Sequence, residues 1–237
     1  MIKKITLRLL FIVLVGLLAL MVPGGSGAAQ QNITLSNLQI DLWPEYDHPS
    51  TLVVYRITLA PEVTLPAVLT FRIPAAAGEP NAVAVRDVNG SAFNVAYTRE
   101  VQGEWAVITF QATLPGAQLE YYDPGLEING TSRHYIYHWP GDYAVSSALI
   151  IVQNPLGATD LQTLPPLTNR TQDQSGLVYF GQEIGAMQLG QTFDVTVNYE
   201  KETADLTVDF LNVQPSAPVT TDTPGRVAIN EAVELAK

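Results

Sequence analysis

The alternation of apolar and polar residues predicts β-strands over most of the chain. In the run 192–200, Phe193, Val195, Val197 and Tyr199 fall on one face, and polar residues fall on the other. This period of two is typical of an antiparallel sheet with one face on a core and one in water. Similar runs lie within 53–59, 69–73, 93–97, 108–110 and 145–151, the last with the more uniformly apolar pattern of a central strand. We therefore expect an all-β fold of about a dozen short strands.

Turn-forming residues separate these runs. The pairs Asn89-Gly90 and Asn129-Gly130 predict tight hairpins, because both residue types tolerate positive φ. About twelve strands exceed a single immunoglobulin-like or fibronectin-like β-sandwich. We therefore expect two antiparallel sandwich modules, at 30–124 and 125–210, while a single larger sandwich stays open as an alternative.

The N-terminal residues 1–29 have the composition of a secretory signal peptide. Lys3, Lys4 and Arg8 precede an unbroken apolar run over 9–22, and small residues follow it. The apolar run is too short to cross a membrane comfortably, and its flanks are those of a cleaved leader. The sequence therefore predicts export, to a secreted or cell-surface location.

The composition changes again near the C-terminus. Residues 211–225 are rich in Pro and Thr and predict an extended spacer. Residues 226–237 predict a short helix, with Thr223 able to cap it and Pro224 suited to its first turn. We interpret this helix as the start of a missing segment, so that a membrane or wall anchor would follow the spacer.

The charge balance argues against one class of partner. The chain has 12 basic and 23 acidic residues, a net charge of −11, and loss of Lys3, Lys4 and Arg8 with the leader would leave 9 basic residues. Such an acidic surface repels phosphate backbones, so we expect no nucleic-acid partner. We expect contact with a membrane only through the signal peptide or the missing anchor. The chain contains no cysteine, so packing alone must stabilise it.

Three segments carry a resemblance to a known group of proteins. Residues 42–47, 119–124 and 139–143 are similar to those of uncharacterised bacterial membrane-tethered surface ectodomains with fibronectin-like β-sandwiches. This resemblance implies a sandwich architecture and tethering, and no activity. The last 11 residues, 227–237, resemble a helix of the transcription antitermination factor N-utilisation substance protein B. That family is helical and cytoplasmic, and no function is carried over from it.

Aromatic residues supply the candidate ligand site. Tyr121, Tyr122, Trp139 and Tyr143 lie close together in the sequence, beside the carboxylates of Asp123 and Asp142. Exposed rings of this kind could stack on sugar rings while the carboxylates accept hydroxyl hydrogen bonds. The alternative is that these rings pack in the core, as strand aromatics commonly do.

Two histidines and three carboxylates are the candidate metal ligands in the sequence. His134 and His138 would share one face of a strand about 13 Å apart, too far for one ion. Asp41, Glu45 and Asp47 surround Trp43 and offer oxygen ligands for calcium, or are solvated loop carboxylates. We expect no cofactor and assign no metal site.

No sequence motif for nucleophilic, metal-dependent or phosphate chemistry occurs in the chain. We therefore expect an exported, non-catalytic surface module for interaction or structure, whose partner is a cell-surface glycan or protein. A carbohydrate-binding module that uses exposed Trp and Tyr is the first alternative. A glycan-active enzyme is the second, because its two carboxylates would leave no sequence pattern.

Overall fold

A computed structural model describes residues 33–211 of the chain. The predicted signal peptide 1–29, the predicted helix 226–237 and all of the spacer except residue 211 lie outside the described residues. Within 33–211, no helix is long and apolar enough to cross a membrane.

The described residues form fifteen strands and little helix. The first eight strands are β1 (Thr34–Pro44), β2 (Thr51–Leu59), β3 (Ala67–Pro74), β4 (Ala82–Arg86), β5 (Ala92–Asn94), β6 (Tyr97–Gln102), β7 (Trp105–Ala112) and β8 (Gly116–Asp123). The others are β9 (Glu127–Asn129), β10 (Ser132–Trp139), β11 (Ala144–Gln153), β12 (Ala158–Leu164), β13 (Asn169–Gln172), β14 (Val178–Met187) and β15 (Phe193–Lys201). A 3-10 turn spans Ala75–Ala77, and one short helix, α1, spans Thr207–Phe210.

The strands form three sheets, which confirms the predicted all-β sandwich class. The large sheet has the order β13-β14-β11-β1-β2-β8-β4-β5, and the smaller ones are β12-β15-β10-β9 and β3-β7-β6. Tyr55, on the inner face of the large sheet, contacts Tyr137 of β10 and Phe71 of β3. Both small sheets therefore pack on the same side of the large sheet, and the core lies between the two layers.

The large sheet crosses the boundary expected at residue 124. Its centre joins β1 to β11 in parallel, with Thr34 paired to Ala144 and Leu42 to Val152, while the other pairings are antiparallel. Strands from 30–124 therefore lie beside strands from 125–210 in one sheet. The described residues belong to one compact unit.

Alternation within strands matches the observed burial. Val195, Val197 and Tyr199 are buried on β15, and their polar neighbours face outward. Gly90 and Gly130 adopt φ of 88° and 61° in the β4–β5 and β9–β10 hairpins, so the glycine of each predicted pair takes the left-handed conformation.

The prediction of one strand over 93–97 is wrong. Phe93 pairs with Val85 in the large sheet, whereas Tyr97 pairs with Phe110 in the three-stranded sheet. The chain therefore passes from one layer to the other between β5 and β6. Alternation is a local property and carries no information about which sheet a strand joins.

A buried ion cluster links the layers at one end of the sandwich. Glu45 follows β1 with a φ of 46°, and its side chain turns inward to become 1% exposed. Its carboxylate lies 3.3 Å from Arg133 Nε and 3.4 Å from Lys201 Nζ, and accepts a hydrogen bond of 2.8 Å from Tyr199. The backbone of Glu45 also accepts a bond of 2.9 Å from Thr207 of α1. The Glu45 carboxylate thus supplies the counter-charge for two buried cations, and the Glu45 backbone carbonyl holds α1.

Replacement of Glu45 by Ala should strongly destabilise the fold. Loss of the carboxylate would leave Arg133 and Lys201 buried without a counter-charge, which typically costs about 3–5 kcal/mol. Urea unfolding followed by circular dichroism measures the change, with Glu202→Ala as the control because Glu202 is exposed. Equal unfolding midpoints for the two variants would show that the cluster contributes no stability.

Candidate functional site

The predicted aromatic platform is wrong for three of its four residues. Tyr121, Trp139 and Tyr143 are 1%, 0% and 8% exposed, because their strand positions direct them between the two layers. Tyr122 points to the opposite face of β8 and is partly exposed. The alternative prediction, that these rings pack in the core, is confirmed for Tyr121, Trp139 and Tyr143.

The buried tyrosines form a hydrogen-bonded chain between the layers. The Tyr55 hydroxyl lies 3.1 Å from that of Tyr121 and 2.9 Å from that of Tyr137. The Trp139 ring packs edge-on against Tyr55, with 5.7 Å between ring centroids. Burial raises the pKa of all three phenols, since the tyrosinate form loses its hydration in the core.

Asp142 and Tyr143 act as supports for an edge strand. β3 lies at the edge of the three-stranded sheet, and its Thr70 amide donates a bond of 2.7 Å to the Tyr143 hydroxyl. The Arg72 amide donates a bond of 2.8 Å to Asp142, which also pairs with the Arg72 side chain at 2.6 Å. Burial raises the pKa of Tyr143 to about 12 and also raises the pKa of Asp142. These two residues protect the edge of β3 and are not a ligand surface.

A second group of aromatic residues lies on the outer face of the large sheet. We define the outer aromatic patch as the side chains of Trp43, Tyr46, His48, Tyr122 and Tyr179, of which His48 is exposed and the other four are partly exposed. The strand register explains their grouping. Tyr179 of β14 pairs with Gln153 of β11. Trp43 of β1 pairs with Leu52 of β2, and Leu52 pairs in turn with Tyr122 of β8. Leu42 pairs with Val152, so the next position places Trp43 beside Gln153.

The β1–β2 loop completes the patch. Tyr46 packs on Trp43 with ring centroids 5.0 Å apart, and His48 packs on Tyr122 at 4.4 Å. Arg56 covers the Trp43 ring at 5.9 Å. The loop thus adds two rings to those that the sheet itself supplies.

Carboxylates accept hydrogen bonds from two of the patch hydroxyls. Tyr122 donates a bond of 2.8 Å to Asp47, and Tyr179 donates one of 3.0 Å to Asp173. Burial, followed by the hydrogen bond to Asp47, raises the pKa of Tyr122. Burial, together with the neighbouring Asp173, raises the pKa of Tyr179. Both hydroxyls are therefore neutral donors, and the patch has an acidic rim.

The three carboxylates considered for calcium do not converge. Asp41 is 2% exposed on the outer face and forms an ion pair with Arg56. Glu45 points between the layers, and Asp47 binds Tyr122. Within 33–211, no three His, Cys, Asp or Glu side chains are arranged to hold a metal ion.

The two histidines of β10 share the outer face of the four-stranded sheet, as their spacing predicts. His134 Nδ1 lies 2.7 Å from the Asn198 Oδ1 on β15, and His138 pairs with Asp194 on the same strand. Trp105 of β7 lies 5.8 Å from the His138 ring, measured between ring centroids. Each histidine thus has its own partner on β15.

The sequence interpretation missed Trp43, Tyr46, His48 and Tyr179 as members of a surface aromatic group. One signal was present in β8, where Ala117, Leu119 and Tyr121 share an apolar face and so leave Tyr122 outside. The placement of Tyr122 and Tyr179 at the two ends of one row, however, depends on the order of five strands, which alternation does not give.

Comparison with known proteins gives little guidance. No family model and no curated protein matches the chain. One solved structure with a similar course is that of a Parabacteroides distasonis protein described as a "putative protease", at 7% identity and a TM-score of 0.38. The match covers 71% of this chain, which spans 40% of the length of that one. A likeness this low carries no argument about function.

The buried phenols predict a cooperative loss of structure at alkaline pH. Their pKa values are raised in the folded chain, so their contribution to stability is present below the ordinary tyrosine pKa of about 10 and is lost as the pH rises beyond it. Tyrosinate absorbance and far-ultraviolet circular dichroism should be recorded in one titration. Tyr135 of β10 is also 0% exposed, and burial raises its pKa as well. We expect Tyr55, Tyr121, Tyr135 and Tyr137 to ionise together with unfolding. Ionisation of all ten tyrosines near their ordinary pKa in a chain that stays folded would contradict this.

Proposed function

We propose that this chain is an extracytoplasmic, non-catalytic β-sandwich module that binds a cell-surface partner through the outer aromatic patch. The observation that carries the proposal is the grouping of Trp43, Tyr46, His48, Tyr122 and Tyr179 on one face. Partly exposed aromatic rings with polar groups at hand are characteristic of binding surfaces.

The location outside the cytoplasm is supported by the sequence of residues 1–29. The composition of residues 211–225, which are rich in Pro and Thr, supports an extended spacer. Such a spacer would hold the β-sandwich away from the cell surface. The charged side chains near the patch fit binding better than catalysis. Asp41 is neutralised by Arg56, and Asp47 and Asp173 are engaged by tyrosine hydroxyls.

Removal of the two loop rings should weaken binding to the cell envelope. The Tyr46→Ala/His48→Ala double variant takes away the parts of the patch that the β1–β2 loop supplies, and leaves the paired strands unchanged. Sedimentation of the purified chain with isolated envelopes of the producing cells should show binding about tenfold weaker than that of the wild type.

The control is Tyr97→Ala, which removes a tyrosine 36% exposed on β6, in the opposite layer. The control should bind envelopes like the wild type. Equal losses in the two variants, or binding that neither variant changes, would remove the patch as the contact surface.

The cellular location is tested by protease treatment of intact producing cells. A surface module should be cleaved while a cytoplasmic marker protein survives, because the protease does not cross the membrane. Immunoblotting of cells, medium and membranes then shows whether the chain is cell-associated. Protection of the chain to the same degree as the cytoplasmic marker, with cleavage only after lysis, would contradict a surface location.

A further inference from the structure

Three buried polar atoms beside the outer aromatic patch lack a hydrogen-bond partner within the described residues. They are Trp43 Nε1, Gln153 Oε1 and Asp47 Oδ1. Gln153 is 0% exposed, and its strand register directs it to the outer face between Tyr179 and Trp43. Buried polar atoms without partners are costly, so such a group marks a place where another molecule can supply the missing bonds.

The donor or acceptor character of these three atoms limits the chemical class of the ligand that could bind them. Trp43 Nε1 only donates a hydrogen bond, whereas the Gln153 and Asp47 oxygens accept one. A metal ion would satisfy the two oxygens and would be repelled by the indole N–H. An anion would accept from the indole and would be repelled by Asp47, by the partly exposed Glu120 and by the exposed Asp173. A hydroxyl both donates and accepts, so an uncharged ligand with several hydroxyls fits all three atoms.

The aromatic rings of the patch limit the class of ligand further. Trp43, Tyr46, Tyr122 and Tyr179 offer flat apolar surface beside the polar atoms, and a sugar ring presents an apolar C–H face together with hydroxyls at its rim. Tyr179 and Tyr122 stand on β14 and β8, four strand spacings apart in the sheet order. At about 4.8 Å per strand spacing, the distance from Tyr179 to Tyr122 across the sheet is about 19 Å. This distance matches a chain of several sugars and exceeds the size of a single sugar ring.

We infer that the outer aromatic patch binds a neutral polysaccharide, laid across the strands from Tyr179 to Tyr122. This inference rests on the proposed binding function and names its ligand class. Tyr46 packs on Trp43, so the β1–β2 loop must shift for a hydroxyl to reach the indole N–H. Asp47, which already holds Tyr122 through one oxygen, accepts a sugar hydroxyl through the other.

The test uses affinity electrophoresis of the full chain in gels that contain a soluble β-glucan, a mannan or a xylan. A gel with polygalacturonate provides the anionic comparison. We expect retardation by at least one neutral polysaccharide and none by the anionic one. Calorimetry with oligosaccharides of the retarding polysaccharide then gives affinities for the variants.

Two variants separate the rings from the polar atoms. Tyr46→Ala/His48→Ala removes loop rings, and Gln153→Met removes the amide acceptor at nearly constant volume, so each should weaken oligosaccharide binding about tenfold. Tyr97→Ala is the control and should leave the affinity unchanged. Circular dichroism shows which variants remain folded, and the loop variant keeps the test valid if Gln153→Met does not fold.

Three results would overturn the inference. Retardation by polygalacturonate alone would show that the site prefers anions. Neutral binding that survives both variants would place the sugar elsewhere. Patch-dependent binding to envelopes without retardation by any of the neutral polysaccharides would leave the proposed binding function standing and would remove the sugar as its ligand.

Discussion

Among residues 33–211, the sandwich depends on side-chain bonds between three sheets that no backbone ladder connects. Tyr55 of the large sheet reaches Tyr137 of the four-stranded sheet, and Asp142 and Tyr143 hold the edge amides of the three-stranded sheet. Glu45 joins the layers at one end through Arg133. Apolar burial drives the layers together but is non-directional. These polar bonds fix where the small sheets lie on the large one, because each loses its partner if a sheet slides.

This requirement explains why the aromatic residues that stand out in the sequence are structural. A phenol can fill core volume and still bond across the gap between layers, which an aliphatic side chain cannot do. Tyr55 and Tyr137 meet this need through their mutual bond, and Tyr135 does so by donating a bond of 2.9 Å to Asp123. Tyr121 extends the chain within the large sheet through its bond to Tyr55. The aromatic residues of the outer patch have no such task, and they lie on the face of the large sheet that no second layer of residues 33–211 covers.

The sequence predicted local structure better than pairing. Alternation placed Val195 and Tyr199 inside because side-chain direction follows from the strand itself. The parallel pairing of β1 with β11, and the division of 93–97 between two sheets, depend on residues far apart in the chain. The candidate site failed for a different reason, because it did not apply the alternation that the strand itself carries. It grouped Tyr121 with Tyr122, although neighbouring strand residues must point to opposite faces.

The β1–β2 loop connects the core to the candidate binding surface. Glu45 turns inward at its positive φ to meet Arg133 and Lys201, and the next residue, Tyr46, turns outward onto Trp43. The base of the loop is thus held by buried charges, and its tip contacts the aromatic rings. A ligand that lifts the tip to reach the indole N–H would bend the loop against this fixed base. The ion cluster therefore fixes the base of the loop that places Tyr46 on Trp43.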